Sequence, residues 1–215
     1  MLLHGIRGNK ADMLGRARFL RQAGFGVLLL DLPAHGASGG DRIGFGKLEA
    51  PALRAACGEL RRLAPGERMG LLGVSLGGAT ALFARPPEAV ALVLESIYPD
   101  IDSAAANRLA LYFGEWARPL APLLLTQLKP RLGVDRAALR PIDTAAAVLM
   151  PVLQLHGADD QHTSVSEARA LHQRLGGPKE FVVIPRAAHV DLHHAGGAEY
   201  ERLVLEFLRR HVRGV

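Results

Sequence analysis

Met69-Gly70-Leu71-Leu72-Gly73-Val74-Ser75-Leu76-Gly77-Gly78, running on into Ala79 to Ala84, decides how the rest of the chain is read. The apolar run Met69 to Val74 suits a strand buried on both faces, and Ala79 to Ala84 suits a helix. A sharp turn from strand to helix strains the serine backbone and pushes its hydroxyl clear of the sheet. Glycines two residues before and two after leave the room that such a turn needs. The bare Gly-x-Ser-x-Gly pattern is moderately specific, and its placement between strand and helix sharpens it. Read blandly, the same residues are a glycine-rich turn capped by a serine.

Working outward, short apolar runs recur at Val27 to Leu30, Val90 to Leu94, Val152 to Leu155 and Phe181 to Ile184, each followed by a turn. They are continuous rather than alternating, and the segments between them are long enough for crossover helices, which predicts an α/β fold with a mostly parallel sheet and helices on both faces. The helix beginning near Asp12 is expected to stop where Gly24 can turn left-handed, just before Val27. In the last helix, Tyr200, Leu203, Val204, Phe207, Leu208 and His211 fall on one face, with Glu201, Arg202, Arg209 and Arg210 on the other. The departure from strand-helix alternation is 99–147, helical in pattern and studded with Pro119, Pro122, Pro130 and Pro141. This region reads as a small helical cap inserted into a single domain spanning 1–215.

Serine is a weak nucleophile at its own pKa, so a base must take its proton and a carboxylate must hold that base in the right tautomer. For an elbow of this kind the acid and then the base follow on later strand ends. The run Val152 to Leu155 leads into His156-Gly157-Ala158-Asp159-Asp160, and Phe181 to Ile184 leads into Pro185-Arg186-Ala187-Ala188-His189. Of nine histidines, His189 alone lies between a strand and the last helix at the required place. Asp159 and Asp160 compete for the acid, and motif position favours Asp160. Attack on a carbonyl also needs backbone N–H donors for the oxygen anion. Leu76 offers one. His4-Gly5-Ile6-Arg7-Gly8, after the first apolar fragment, offers another at Ile6, or is a plain glycine turn.

With these motifs assembled, nearly the whole chain resembles a bacterial α/β-hydrolase, of the serine aminopeptidase-like branch. Asp31-Leu32-Pro33-Ala34-His35-Gly36-Ala37-Ser38 is similar to a structural turn of that family, and His189-Val190-Asp191-Leu192 to the segment that follows its catalytic histidine. The resemblance implies a catalytic triad of Ser75, Asp160 and His189, an oxyanion hole at Ile6 and Leu76, and no metal or organic cofactor. It also implies two strands ahead of the His-Gly strand, which this sequence lacks. On that reading Val27 to Asp31 becomes an apolar sheet edge, predicting a homodimer or poor solubility.

Composition bounds the rest. With 215 residues, 49% hydrophobic and 22% charged, the chain is ordinary globular material. The net charge of +5 invites an anionic partner, but only 5% of residues are aromatic and no stretch interleaves them with basic ones. Nucleic acid is therefore not expected, and the arginines read as a solvated surface. The one cysteine, Cys57, excludes an internal disulfide and paired zinc-ligand spacings, and reads as core. No apolar run reaches bilayer length and no secretory pattern is present, so cytoplasm is the default. The Leu109 to Leu128 region, with Tyr112, Phe113 and Trp116, either lines an apolar pocket for a small-molecule ester or acyl substrate or packs the cap on the sheet. Glu95, Glu115 or Asp102 could instead meet a substrate ammonium, as a peptidase or amidase would need. A catalytically silent binding protein is the reading from another class.

Overall fold

A computed structural model describes residues 1–189 and 191–214; Val190, part of the segment after His189, lies outside them. Among the described residues the strands are β1 (Leu2–Leu3), β2 (Leu29–Leu30), β3 (Met69–Val74), β4 (Ala89–Glu95), β5 (Val152–Gly157) and β6 (Lys179–Ile184). They form one sheet in the order β2-β1-β3-β4-β5-β6, with every pairing parallel. Around it lie α1 (Leu14–Gln22), α2 (Ala50–Leu63), α3 (Leu76–Ala84), α8 (Val165–Arg174) and α9 (Leu192–Leu208). Between β4 and β5 run the short helices α4 (Ile101–Phe113), α5 (Ala121–Leu125), α6 (Leu128–Leu132) and α7 (Pro141–Thr144), joined by 3-10 turns.

The continuous apolar runs now have their reason, because successive strand side chains enter opposite cores. Leu3, Leu71, Leu92, Leu94 and Val152 point to a core shared with α2, α3 and α8, through Leu53, Cys57, Leu82 and Leu171. Leu2, Leu72, Ala91, Val93, Leu153 and Leu155 point the other way, to α1 and α9 through Ala17, Phe19, Leu20, Val204 and Phe207. Cys57 is core, as its Ala-rich surroundings implied, and burial pushes its thiol up to about 11. Gly24 closes the turn after α1 with φ +83°.

Two expectations need correction. The run Val27 to Leu30 pairs as a strand only at Leu29–Leu30, because its neighbour β1 extends only from Leu2 to Leu3 before the chain turns into its loop. The Leu28 carbonyl still accepts the Leu2 N–H at 2.8 Å. β2 does stand at the sheet edge, though an edge this short presents few unpaired ladder groups. The second correction concerns arginine. Arg16 is not part of a solvated surface but is buried between the sheet, α1 and α9.

Candidate active site

Parallel strands deliver their loops to one end of the sheet, and there the chain is unusually strained. Seven non-glycine residues have positive φ among the described residues, and Arg7, Ala34, Ser75, Ser96 and Arg186 lie in loops leaving β1, β2, β3, β4 and β6. Such conformations cost about 1–3 kcal/mol each and persist only where the surroundings enforce them.

Ser75 sits at φ +47°, ψ −105° between β3 and α3, with its N–H donated to the Glu95 carbonyl of β4 at 2.8 Å. The flanking glycines are sterically necessary. A Cβ on Gly73 would lie 2.6 Å from the Gly77 and Gly78 backbone, and one on Gly77 would lie 2.5 Å from the Leu3 carbonyl. Leu76 is the first residue of α3, so its N–H has no acceptor within the helix and points from a helix N-terminus that favours negative charge.

The His4-Gly5 loop abuts this elbow, since a Cβ on Gly5 would lie 3.9 Å from Ser75 Cβ. A turn closes it, with the Gly8 N–H on the Gly5 carbonyl at 3.2 Å, which leaves Ile6 at the turn's first corner. Buried His4 holds the loop. The Leu32 N–H donates to His4 Nε2 at 3.1 Å, so His4 Nδ1 carries the proton and donates it to the Gly5 carbonyl at 2.7 Å. Below the loop, the Lys10 and Ala37 amides donate to Asp31 at 2.6 and 3.0 Å, and the Lys10 ammonium stands 3.0 Å away. The Ala37 and Lys10 amides bring the Asp31 carboxyl down to about 2.

The loops after β5 and β6 meet. The Asp159 N–H donates to the Ala187 carbonyl at 2.9 Å, and a Cβ on Gly157 would strike the Ala187 and Ala188 carbonyls. Asp160 Oδ2 lies 2.7 Å from His189 Nδ1, while Oδ1 accepts the His162 and Thr163 amides at 2.9 and 3.0 Å. Asp159, its rival, is exposed. Burial alone would raise the Asp160 carboxyl; the His189 hydrogen bond and the Thr163 amide outweigh it and hold the group below the ordinary value. With His189 Nδ1 turned to Asp160, Nε2 is the ring nitrogen on the opposite edge, away from the carboxylate. No hydrogen bond reaches the Ser75 hydroxyl among the described residues; in unliganded sites such contacts are often long and tighten with substrate.

Sequence reasoning missed several neighbours. The His162 ring packs against that of His189 at a tilt, with centroids 4.8 Å apart, and its carbonyl accepts from the Asn107 side chain of α4 at 3.1 Å. Burial first, then His189 and Arg108, lower its pKa. Its adjacency to Asp160 was the only signal available. The three carboxylates weighed for ammonium recognition are engaged: Glu95 is buried against Arg16 and Tyr200, Glu115 pairs with Arg118, and Asp102 with Arg136. Glu95 is thereby removed as a substrate contact.

A cavity of about 370 Å³ beside Asp160 is lined by Asn107, Leu111, Glu115, Arg118 and Gln161. A larger one, about 490 Å³, opens near Met1, Met69 and Gly70, at the strand ends remote from Ser75, so cavity size does not mark the site here. Among the described residues no group of three or more His, Cys, Asp or Glu side chains is placed to hold a metal, and no helix is long and apolar enough to cross a membrane.

No protein-family model matches the chain. It is 26% identical over 215 residues to the protein YqkD of Bacillus subtilis, spanning 97% of this chain and 70% of that one. It is 28% identical over 150 residues to the alpha/beta hydrolase domain-containing protein WAV2 of Arabidopsis thaliana, spanning 67% of this chain and 47% of the relative. Among solved structures, the Pyrococcus furiosus esterase Pf2001 matches with a TM-score of 0.78 at 25% identity, over 98% of this chain and 80% of that one. A monoacylglycerol lipase of Paleococcus ferrophilus matches with a TM-score of 0.69 at 25% identity, over 96% and 92%. With its parallel sheet and its strained serine between β3 and α3, the chain belongs to the α/β-hydrolase superfamily.

Proposed function

We propose that the protein is a serine hydrolase that cleaves a carboxylic ester or related acyl substrate through an acyl-enzyme on Ser75. The observation that carries the reading is the 2.7 Å pairing of His189 Nδ1 with buried Asp160, on loops that leave the same end of the parallel sheet as the strained Ser75 elbow. Ser75 Oγ attacks the carbonyl carbon, and His189 Nε2 takes its proton. Asp160 stabilises the imidazolium without itself becoming protonated. The Leu76 and Ile6 N–H groups receive the oxygen anion, a contribution of several kcal/mol where donors are preorganised. His189 then gives its proton to the leaving alcohol, and a water repeats the cycle to release the acid and free Ser75. The steps need no metal or organic cofactor.

Esterase and monoacylglycerol lipase are the activities named for the structural relatives, which favours an ester over an amide. The engagement of Glu95 by Arg16 favours it further, since it removes a buried anion from the candidates for a substrate ammonium. The 99–147 segment serves in this reading as the cap, with Leu111 and Asn107 bordering the cavity beside Asp160.

The test is turnover of p-nitrophenyl esters, from acetate to longer acyl chains, by wild type and by Ser75→Ala, alongside labelling with a fluorophosphonate. Turnover and labelling in wild type, with turnover reduced about 10⁶-fold in the mutant, is the expected result. A wild type that neither turns over nor labels would leave the silent-binder reading in its place. Activity on amides exceeding that on esters would replace the esterase with a peptidase or amidase.

A further inference from the structure

Beneath the catalytic loops, on the face covered by α1 and α9, lies a charged cluster that the hydrolytic steps do not use. Glu95, the last residue of β4, receives Arg16 Nε at 3.0 Å on one carboxylate oxygen and Arg16 Nη2 at 2.6 Å on the other. The Tyr200 hydroxyl of α9 donates to Glu95 at 2.5 Å, and Arg16 Nε lies 3.2 Å from that hydroxyl. The side chains of Arg16 and Glu95 are 3% and 0% exposed. Arg16 Nη2 also stands 2.6 Å from Asp191 Oδ1, on a side chain 49% exposed.

Stability does not account for this cluster. Desolvating two charges costs several kcal/mol each, and a buried ion pair often does no better than apolar residues of the same volume. Those residues are at hand, since Met13, just before the helix, and Ala17 and Leu20 on it share the buried face of Arg16, and Phe19 meets Tyr200 edge-on. What the cluster does supply is a rigid link. The Glu95 carbonyl holds the Ser75 N–H, and Asp191 caps α9 two residues beyond His189. One planar guanidinium therefore ties the strand end that grips the serine to the residue that starts the helix after the histidine.

We propose that Arg16 is a positioning residue for His189: held by Glu95 and Tyr200, it fixes Asp191, and through Asp191 the place of the imidazole. The proposal rests on the hydrolase reading above. Asp191 has a second task, because its Oδ1 accepts the His193 N–H at 3.1 Å, and His193 in turn pairs with Glu201 at 2.9 Å. A test must separate the ion pair from the cap.

Asp191→Asn does so, since asparagine keeps a capping oxygen and loses the charge, whereas Asp191→Ala loses both. In Asp191→Asn, kcat and the rate of fluorophosphonate labelling are expected to fall about tenfold to a hundredfold, with KM and Tm nearly unchanged. Arg16→Lys keeps a charge but loses the two-pronged grip on Glu95 that fixes the direction of the guanidinium, and should lose activity likewise. The double variant should be no worse than the poorer single one, because both break the same link. Wild-type kcat and labelling in Asp191→Asn would overturn the proposal, as would losses that simply add in the double variant. Should wild type itself prove inert, the hydrolase reading fails separately. The downfield proton resonance of His189 Nδ1 then decides: it shifts or broadens in Asp191→Asn if Arg16 holds the loop, and stays in place if it does not.

Discussion

The sheet and the helical segment between β4 and β5 are both leucine-rich, yet they place their apolar side chains in opposite ways. Leu71, Leu72, Leu92 and Leu94 are almost wholly buried, whereas Tyr112, Phe113, Trp116 and Leu123 are 71%, 61%, 71% and 69% exposed. In the sheet each apolar residue has a core on its side of the strand. In the segment only Ile101, Leu125, Val134 and Leu139 make a small core of their own. Hydrophobic periodicity therefore reports position where a residue is enclosed by strands and helices, and reports little in short helices broken by proline. In the proposed reading the chemistry sits on the first kind of region, and the choice of acyl group falls to the second.

That contrast can be broken most sharply at the two adjacent aspartates. Asp160→Asn should lower kcat by about 10⁴-fold, while Asp159→Asn, an exposed change, should leave it within a few-fold. Equal losses in the p-nitrophenyl ester assay would mean that the buried pair with His189 is not what matters. Next comes stability. Leu72→Ala should cost about 2–5 kcal/mol in denaturant unfolding. Trp116→Ala, though it deletes a larger side chain, should stay within about 0.5 kcal/mol. A Trp116 variant as damaging as Leu72→Ala would show that the segment is packed by something absent from this chain alone.

The smallest effect concerns the loop that carries Ile6. Asp31 has its carboxyl brought down from 3.8 to about 2 by the Ala37 and Lys10 amides. A depressed carboxyl stabilises the fold fully above its ordinary value and loses that contribution as pH falls through the folded value. The wild-type Tm should therefore decline between about pH 4 and pH 2, and Asp31→Asn should flatten this part of the acid limb. An unchanged limb in Asp31→Asn would assign the acid loss to other carboxylates.

How much of this was legible in the sequence follows from the same physics. Met69 to Val74 and its glycines could be read because strand, turn and helix signals coincide there, and β3 takes those same bounds. The His189 and Asp160 loops could be read because each follows an apolar run. β2 came out shorter than its apolar run because pairing depends on the partner strand. Arg16 was misjudged because a charged residue is assumed to face water. Its register was the overlooked signal: Met13, Arg16, Ala17 and Leu20 follow the three-and-four spacing of one buried face. Glu95 likewise ended an otherwise apolar strand, and only the Arg16 and Tyr200 side chains reaching it from α1 and α9 could say why.

If Ser75 is the nucleophile proposed above, its positive φ also decides how an inert form of this protein should be made. Alanine retains a Cβ, so Ser75→Ala keeps the backbone under the tension that the elbow imposes, and a ligand bound to it meets the loops as wild type holds them. Glycine has no such penalty at φ +47°. Ser75→Gly would relax the turn, alter its stability and free the neighbouring amides to drift, so a complex trapped on it would be a portrait of a different site.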